Sequence, residues 1–364
     1  MGMIRLLLAI CVVAGHSRGF FGAPLMGGGT AVQIFYVISG FYITLVLNEK
    51  YRERVRLFYS NRLLRLVPSY MIVLLLAVIA LAVFGRSTHA SVDEWRAMFG
   101  QADLFATLYY IWVNIGMLGS DQALFTYLTP DGSLGWTADF RPHALASYRF
   151  LLVPQSWSIG VELLFYAVAP FVVTRSPRLI IGLMVVSYAA RWSAYANGFA
   201  FDPWTYRFFP FELGTFFAGA LAARFRQGLE RNGGWLLLAV WVATIGTYAA
   251  TATVTMVGPV MDIVIRETAL TWGMAFSLPA IYALSKSNGV DRFAGALSYP
   301  LYICHHFVIL AVAATSGADG LGGVKSMTVL AIALAVSVVL AVFVEIPVDR
   351  WRQNRALGNP EMKA

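Results

Sequence analysis

Long apolar runs are the feature of this sequence that most constrains its fold. Ten stretches approach the roughly 20 mostly apolar residues that a membrane-spanning helix needs. They are 3–20, 30–48, 67–84, 154–173, 179–196, 207–223, 234–253, 263–284, 294–315 and 326–345. Only 13% of the residues are charged, against about a quarter in a soluble domain. The sequence therefore predicts an all-α integral membrane protein, a bundle of about ten transmembrane helices.

The positions of Lys and Arg predict how the bundle is oriented. With the N-terminus inside, most of the 27 cations fall on connections that face the cytoplasm, and so does the C-terminus. We attribute the net charge of +8 to these connections and expect no nucleic-acid partner. Cys11 and Cys304 both lie inside apolar runs, so neither a disulfide framework nor a metal site is expected.

One connection, 85–153, is much longer than the others. It contains the mixed stretch ADLFATLYYIWVNIGML, which we interpret as a re-entrant or interfacial helix, because a spanning helix here would invert every later loop. The remainder is predicted to be an ordered outer loop, since it is too apolar and aromatic for a linker. Residues 1–347 are thus predicted to form one membrane domain and 348–364 a short cytoplasmic tail.

Two ionisable residues, Arg5 and His16, bracket the first apolar run. They are eleven positions apart, so in a helix they face nearly the same way, about 16 Å apart along the axis. Ionisable groups within spans are costly and usually mark a functional site. Alternatively, Arg5 is a topology anchor and His16 is a polar residue satisfied by a neighbouring helix.

A second basic pair, Arg62 and Arg65, precedes the third apolar run. The spacing places both on one helix face, and we expect Pro68 near the start of that helix. Guanidinium groups match the geometry of phosphate oxygens, so the pair suits a phosphate group that arrives from the cytoplasm. Ordinary positive-inside charge is the alternative.

Polar residues also interrupt three later apolar runs. Ser39 and Gly40 form either a helix-packing notch or a ligand contact. In PQSWSIGVELLFY, Ser158 and Glu162 share a face, and Glu162 needs a partner within the membrane. We predict that this partner is His16, because a carboxylate that orients an imidazole makes a general base. A structural Glu–Arg pair is the alternative.

The run GALSYPLYICHHFVI carries two adjacent histidines. Ser298, Tyr302 and His305 fall near one helix face, whereas His306 points elsewhere. The helix therefore presents a polar face with one histidine on it.

Taken together, these segments resemble the membrane-bound acyltransferase family 3, the O-acyltransferases that modify bacterial surface glycans. The resemblance runs from residue 5 to 347. It rests on an Arg, ten residues and a His, followed by IFYVISGF, RLLRLVP, WSIGVELLFY, LSYPLYICHH and a terminal VEIP. The chain departs from the family pattern at Gln33, where an acidic residue is common, at Ile159 in place of Leu, and at the extra His306.

The resemblance implies transfer of an acyl group, commonly acetyl from acetyl-CoA, to a sugar hydroxyl across the bacterial inner membrane, without a metal cofactor. It assigns Arg5, Arg62 and Arg65 to the CoA end, makes His16 catalytic, and places Glu162 at the acidic position of the Trp-Ser motif. The remaining substrate-binding candidates are Ser39, Trp157, Ser158, Tyr302 and His305.

Several alternatives stay open at this point. His16 could act as a base or carry the acyl group itself. The acceptor could be a small secondary metabolite instead of a glycan, with 85–153 as the candidate segment for acceptor choice. Ten spans with intramembrane Arg, His and Glu would also suit a secondary transporter or a flippase of glycan-containing lipids.

Overall fold

The computed structural model describes residues 1–17, 19, 27–231, 242, 259–316 and 323–357, and it is 77% helical. The helices are α1 (Gly2–His16), α2 (Gly28–Glu49), α3 (Val55–Phe84), α4 (Val92–Gln101), α5 (Leu104–Ile115), α6 (Ser156–Val172), α7 (Pro177–Ala196), α8 (Phe209–Arg224), α9 (Arg226–Arg231), α10 (Pro259–Ser285), α11 (Gly289–Ser316), α12 (Gly323–Leu340) and α13 (Ile346–Leu357). A π-helical turn, Ala341–Glu345, joins α12 to α13.

Every predicted apolar stretch coincides with a helix except 234–253, which apart from residue 242 lies outside the described residues. Within the described part of the chain, five segments are both long and apolar enough to cross a membrane. They are Gly28–Glu49, Val55–Phe84, Pro177–Ala196, Gly289–Thr315 and Ser326–Ala356. The chain is therefore a helical protein with several membrane-crossing candidates, while the number of about ten spans and the orientation of the termini stay predictions.

The third predicted stretch, 67–84, is shorter than the helix that contains it. Helix α3 begins at Val55, so Pro68 lies inside it instead of near its start. The extra turns are stabilised by packing, because Phe58 and Asn61 are buried and Asn61 donates a hydrogen bond to the Arg352 carbonyl of α13. Arg62 and Arg65 consequently lie within a continuous helix.

Helices α2 and α8 approach each other closely through two glycines. A Cβ atom at Gly40 would lie 1.9 Å from the Phe216 carbonyl oxygen, and one at Gly219 would lie 1.9 Å from that of Val37. Both distances are shorter than any real contact, so the two backbones can meet only at glycine. The predicted packing notch at Gly40 is confirmed.

The start of α1 is fixed against α11 by Gly2 and Asp291. A Cβ atom at Gly2 would lie 1.7 Å from the Asp291 carbonyl oxygen, and the Asp291 carboxylate accepts N–H bonds from Gly2 (2.8 Å) and Met3 (2.9 Å). A carboxylate at this end also suits the helix dipole. This contact sets the register of α1 on α11, and so it sets where His16 meets the histidines of α11.

Segment 85–153 folds into α4, α5 and a two-stranded antiparallel hairpin, β1 (Thr126–Leu128) and β2 (Leu134–Trp136). Helix α5 has twelve residues, about 18 Å of length, which is less than the roughly 30 Å of a bilayer core. The Tyr70 hydroxyl of α3 donates to the Asn114 carbonyl at 2.6 Å, which ties the segment to the bundle. Its outer location stays a prediction.

Candidate functional site

Two cavities are lined by residues of α1, α2, α6 and α11, and the first is lined by α3 as well. The first, which we name the arginine chamber, has a volume of about 70 Å³ and is lined entirely by helix residues. Its polar lining includes Arg5, Ser39, Arg62, Arg65, Ser158, Glu162, Tyr166, Ser298, Tyr299 and Tyr302. The predicted basic groups are therefore brought together, although they come from two helices far apart in sequence.

The second cavity, which we name the histidine chamber, has a volume of about 390 Å³. Its polar and aromatic lining includes His16, His89, Phe140, Tyr148, Gln155, Trp157, Asp202, Tyr206, Arg207, Tyr302 and His306. Helices provide one part of this wall, and segment 85–153 together with the connection between α7 and α8 provides the other.

Val32 and Tyr302 line both chambers, so they mark the boundary between them. The Tyr302 hydroxyl is 2.6 Å from the Ser158 hydroxyl, a hydrogen bond that joins α11 to α6 at this boundary. A ligand that reaches from one chamber into the other must pass beside this pair.

The basic side chains of the arginine chamber carry charge without a carboxylate partner. Arg5, Arg62 and Arg65 form no ion pair with any residue that the structure describes. The Arg62 guanidinium lies 5.6 Å from the Phe58 ring centre, and its buried Nε has no hydrogen-bond partner among those residues. Three guanidinium groups and the single carboxylate of Glu162 leave the lining of this cavity with a net positive charge, which favours an anionic ligand.

The predicted contact between Glu162 and His16 is not formed. Glu162 lies in the arginine chamber, where its carboxylate accepts hydrogen bonds from Ser39 (2.7 Å) and Tyr166 (2.5 Å). The reason is the course of α6, which carries Trp157 along the histidine chamber and Glu162, more than a turn later, along the arginine chamber. Glu162 therefore belongs to the arginine chamber and not to the surroundings of His16.

His16 faces the histidine chamber and is held by its own helix. Its Nδ1 lies 2.9 Å from the Val12 carbonyl oxygen. Because a carbonyl can only accept, Nδ1 carries the proton and Nε2 keeps its lone pair. This is the tautomer that a general base needs, and a backbone carbonyl provides it instead of the predicted carboxylate.

His305 and His306 both lie against His16, but only His306 lines the chamber. The His305 side chain has no exposed surface and lines neither cavity, so the predicted direct contact with substrate is not supported. Its ring centre is 5.0 Å from that of His16, and its Nδ1 donates to the Tyr302 carbonyl at 2.6 Å. The extra histidine of the sequence is thus the one at the chamber surface.

The three rings also form a group that sequence reasoning did not anticipate. One ligand nitrogen each of His16, His305 and His306 lies within 4.8 Å of the others. No metal-ligand spacing is visible in the sequence, because His16 is nearly the whole chain away from the other two.

Other side chains that line the histidine chamber were also not predicted from the sequence. Arg207 lies over the Trp157 ring at 4.4 Å and pairs with Asp202 at 2.6 Å, while Tyr206 packs beside Trp157. These residues belong to DPWTYRFFP, a polar and aromatic stretch between two apolar runs. Its polar and aromatic composition was the signal available in the sequence. A connection has no helical periodicity, however, so the directions of its side chains could not be predicted.

A larger cavity of about 640 Å³ lies between the ends of α2 and α8, next to Asn48 and Arg224. None of the predicted site residues lines it. Side-chain chemistry, more than size, therefore favours the two smaller chambers as the candidate site.

Comparison with known proteins gives one match. A family model for acyltransferase 3, described as an acyltransferase domain, matches residues 1–346. No curated protein and no solved structure matches the chain. The matched range includes every residue that lines the two chambers.

Proposed function

The chain belongs to acyltransferase family 3, and we propose that it transfers an acyl group, most simply acetyl, from cytoplasmic acyl-CoA to a hydroxyl of a saccharide or glycan acceptor on the outer side of the bacterial inner membrane. The observation that carries this proposal is the meeting of two unlike chambers at Tyr302. One chamber presents unpaired guanidinium groups and the other an oriented imidazole, which are the requirements of the two substrates.

The charge of the arginine chamber suits the donor. The phosphates of acyl-CoA would bind Arg62, Arg65 and Arg5, whose guanidinium groups match phosphate oxygens. The cavity of about 70 Å³ must widen to admit the pantetheine arm, and the roughly 16 Å between Arg5 and His16 along α1 matches a long, flexible donor. The thioester would then lie beside Tyr302, at the entrance to the histidine chamber.

The acceptor fits the histidine chamber. Its volume of about 390 Å³ is within the range of roughly 300–1,000 Å³ typical of ligand pockets. The rings of Trp157, Tyr206 and Tyr148 offer flat apolar faces to the carbon side of a sugar ring. Asp202 and Gln155 offer hydrogen bonds to sugar hydroxyls.

His16 supplies the base for the reaction. His16 Nε2 takes the proton of the acceptor hydroxyl while the oxygen attacks the thioester carbonyl carbon. The C–S bond then breaks, the ester is released, and the CoA thiolate recovers the proton from His16. The Nδ1–H bond to the Val12 carbonyl stabilises the positive ring between these steps.

Purified protein incubated with radiolabelled acetyl-CoA tests the donor half of this proposal. We expect saturable binding, or slow release of CoA in the absence of acceptor. Complete absence of both would contradict the proposal and favour transport by the same bundle. Mass spectrometry of surface glycans from a deletion strain tests the acceptor half, because a missing acyl mass identifies the group and its acceptor together.

A further inference from the structure

Three histidines meet at the inner end of the histidine chamber and form what we name the three-histidine cluster: His16 of α1 with His305 and His306 of α11. The ring centres are 5.0 Å apart for His16 and His305, 4.6 Å for His16 and His306, and 4.5 Å for His305 and His306. One ligand nitrogen of each ring lies within 4.8 Å of the other two. The three rings are therefore close enough to share one ion.

Two histidines of the cluster carry a buried ring nitrogen that lacks a partner among the described residues. His16 and His305 each donate Nδ1–H to a backbone carbonyl, of Val12 and Tyr302, which leaves both Nε2 atoms with a free lone pair. His305 Nε2 and His306 Nδ1 are buried and have no hydrogen-bond partner among the described residues. Buried polar atoms without a partner are rare in native proteins, and a bound ion is one explanation for them.

The arrangement of hydrogen bonds around the cluster is the one found at metal sites. A metal-binding histidine usually donates its second ring N–H to a carbonyl or carboxylate, which fixes the ring and its tautomer. Two of these three histidines already have such a bond. The cluster as defined contains no carboxylate, so its neutral imidazoles suit zinc, copper or nickel and not magnesium or calcium.

We propose that His16, His305 and His306 bind one divalent transition-metal cation, with Zn²⁺ as the best fit. Three imidazoles and one open position are a common tetrahedral zinc environment, and the open position would face the chamber through which the ion enters. Tetrahedral ligands lie about 3.3 Å apart at normal Zn–N distances, so the three rings must move slightly closer on binding.

This site has a consequence for acyl transfer, and that consequence rests on the proposed function. The bound cation would occupy the Nε2 lone pair of His16, the same lone pair that removes the acceptor proton. Cation binding and acyl transfer should therefore exclude each other.

Co²⁺ is the probe for the site, because its visible absorption intensifies strongly in tetrahedral coordination. We expect purified wild-type protein, without donor or acceptor, to bind one Co²⁺ per chain. His305→Gln and His306→Gln should each weaken binding at least about tenfold. The matched control is His143→Gln, whose ring stacks on Tyr127 away from the cluster and which should bind as wild type does.

A second measurement guards against variants that fail to fold. Zn²⁺ should raise the thermal midpoint of the wild-type protein and of His143→Gln, because a ligand that binds only the folded state stabilises it. Absence of Co²⁺ binding, or binding that survives the loss of both His305 and His306, would overturn the site.

Transfer assays separate this inference from the proposed function. Zn²⁺ should inhibit transfer over the same concentration range in which it displaces Co²⁺, and a chelator should restore the rate. Full activity at saturating Zn²⁺, or activity that a chelator abolishes, would overturn the exclusion between cation and transfer. Protein that binds Co²⁺ but never transfers an acyl group would contradict the proposed function and leave the site intact.

Discussion

The two chambers share a boundary but are built differently. Every residue that lines the arginine chamber lies on a helix, and its hydroxyls and carboxylate bond to one another, as Ser39, Glu162 and Tyr166 do. The histidine chamber takes a large part of its wall from connections, including His89, Tyr148 and Arg207. The first chamber is thus built from the helical bundle alone, and the second is a wider site shaped partly by connections, which are the parts of a fold that vary most readily.

This difference predicts that the two chambers have separate roles, and mutagenesis can test this. If the arginine chamber holds the donor and the histidine chamber performs proton transfer, substitutions in the first should raise KM for acyl-CoA and substitutions at His16 should lower kcat. Substitutions at the boundary should change both parameters modestly.

The largest effect is expected from His16→Ala. Loss of the base should lower kcat for transfer by about 100-fold or more, while KM for acyl-CoA stays near its wild-type value. Steady-state kinetics with saturating acceptor measure both parameters. His143→Ala is the matched control, and it should leave kcat within a few-fold of wild type. Full activity of His16→Ala would refute the mechanism.

A smaller effect, on KM for acyl-CoA, is expected from Arg62→Ala and Arg65→Ala. A charge-assisted hydrogen bond contributes about 1.5–3 kcal/mol, so each variant should raise KM for acyl-CoA by about tenfold or more with little change in kcat. Arg56→Ala is the control, because Arg56 lies on the same helix but is exposed and lines neither chamber. An equal rise in KM for all three would show that general surface charge explains the effect.

Boundary residues should give a still smaller effect. Tyr302→Phe and Ser158→Ala each remove the 2.6 Å hydrogen bond between the chambers. A neutral hydrogen bond contributes about 0.5–1.5 kcal/mol, so kcat/KM should fall by roughly two- to tenfold in each variant. Because both substitutions remove the same hydrogen bond, kcat/KM of the double variant should be no lower than that of the less active single variant. Multiplied losses would indicate two independent roles.

The same difference explains how much could be predicted from the sequence. Arg5, Ser39, Arg62 and Arg65 were found because a polar residue in an apolar helix is conspicuous, and the helical period gives its direction. All four line the arginine chamber. The sequence does not show how deep α6 lies relative to its neighbours. Glu162 was therefore wrongly predicted to contact His16.

Residues on connections could not be placed by the same reasoning. Arg207, Asp202 and His89 reach the histidine chamber only after long-range packing, since their backbone follows no repeating period. The three-histidine cluster was missed for a related reason. His16 meets His305 and His306 because Gly2 and Asp291 fix the register of two helices from opposite ends of the chain, and no local pattern reports such a contact.

The smallest effect on transfer is expected from Asp121→Asn, which tests how segment 85–153 is attached to the bundle. Asp121 packs against Gly160 of α6, where an added Cβ would lie 2.9 Å from its Oδ1, and that atom is buried without a hydrogen-bond partner among the described residues. Burial raises the pKa of this carboxyl from 3.8 to about 6. The folded state therefore holds the proton more tightly than the unfolded state between these values.

It follows that wild-type stability should fall as the pH rises from about 4 to about 6, because the buried carboxyl must then ionise. Asp121→Asn removes this group, so the thermal midpoint of the variant minus that of the wild type should increase over this interval and stay positive at pH 7. Binding of acyl-CoA should not change, since the arginine chamber takes no residue from the segment. Parallel pH curves for the two proteins would show that the carboxyl does not resist ionisation in the folded state.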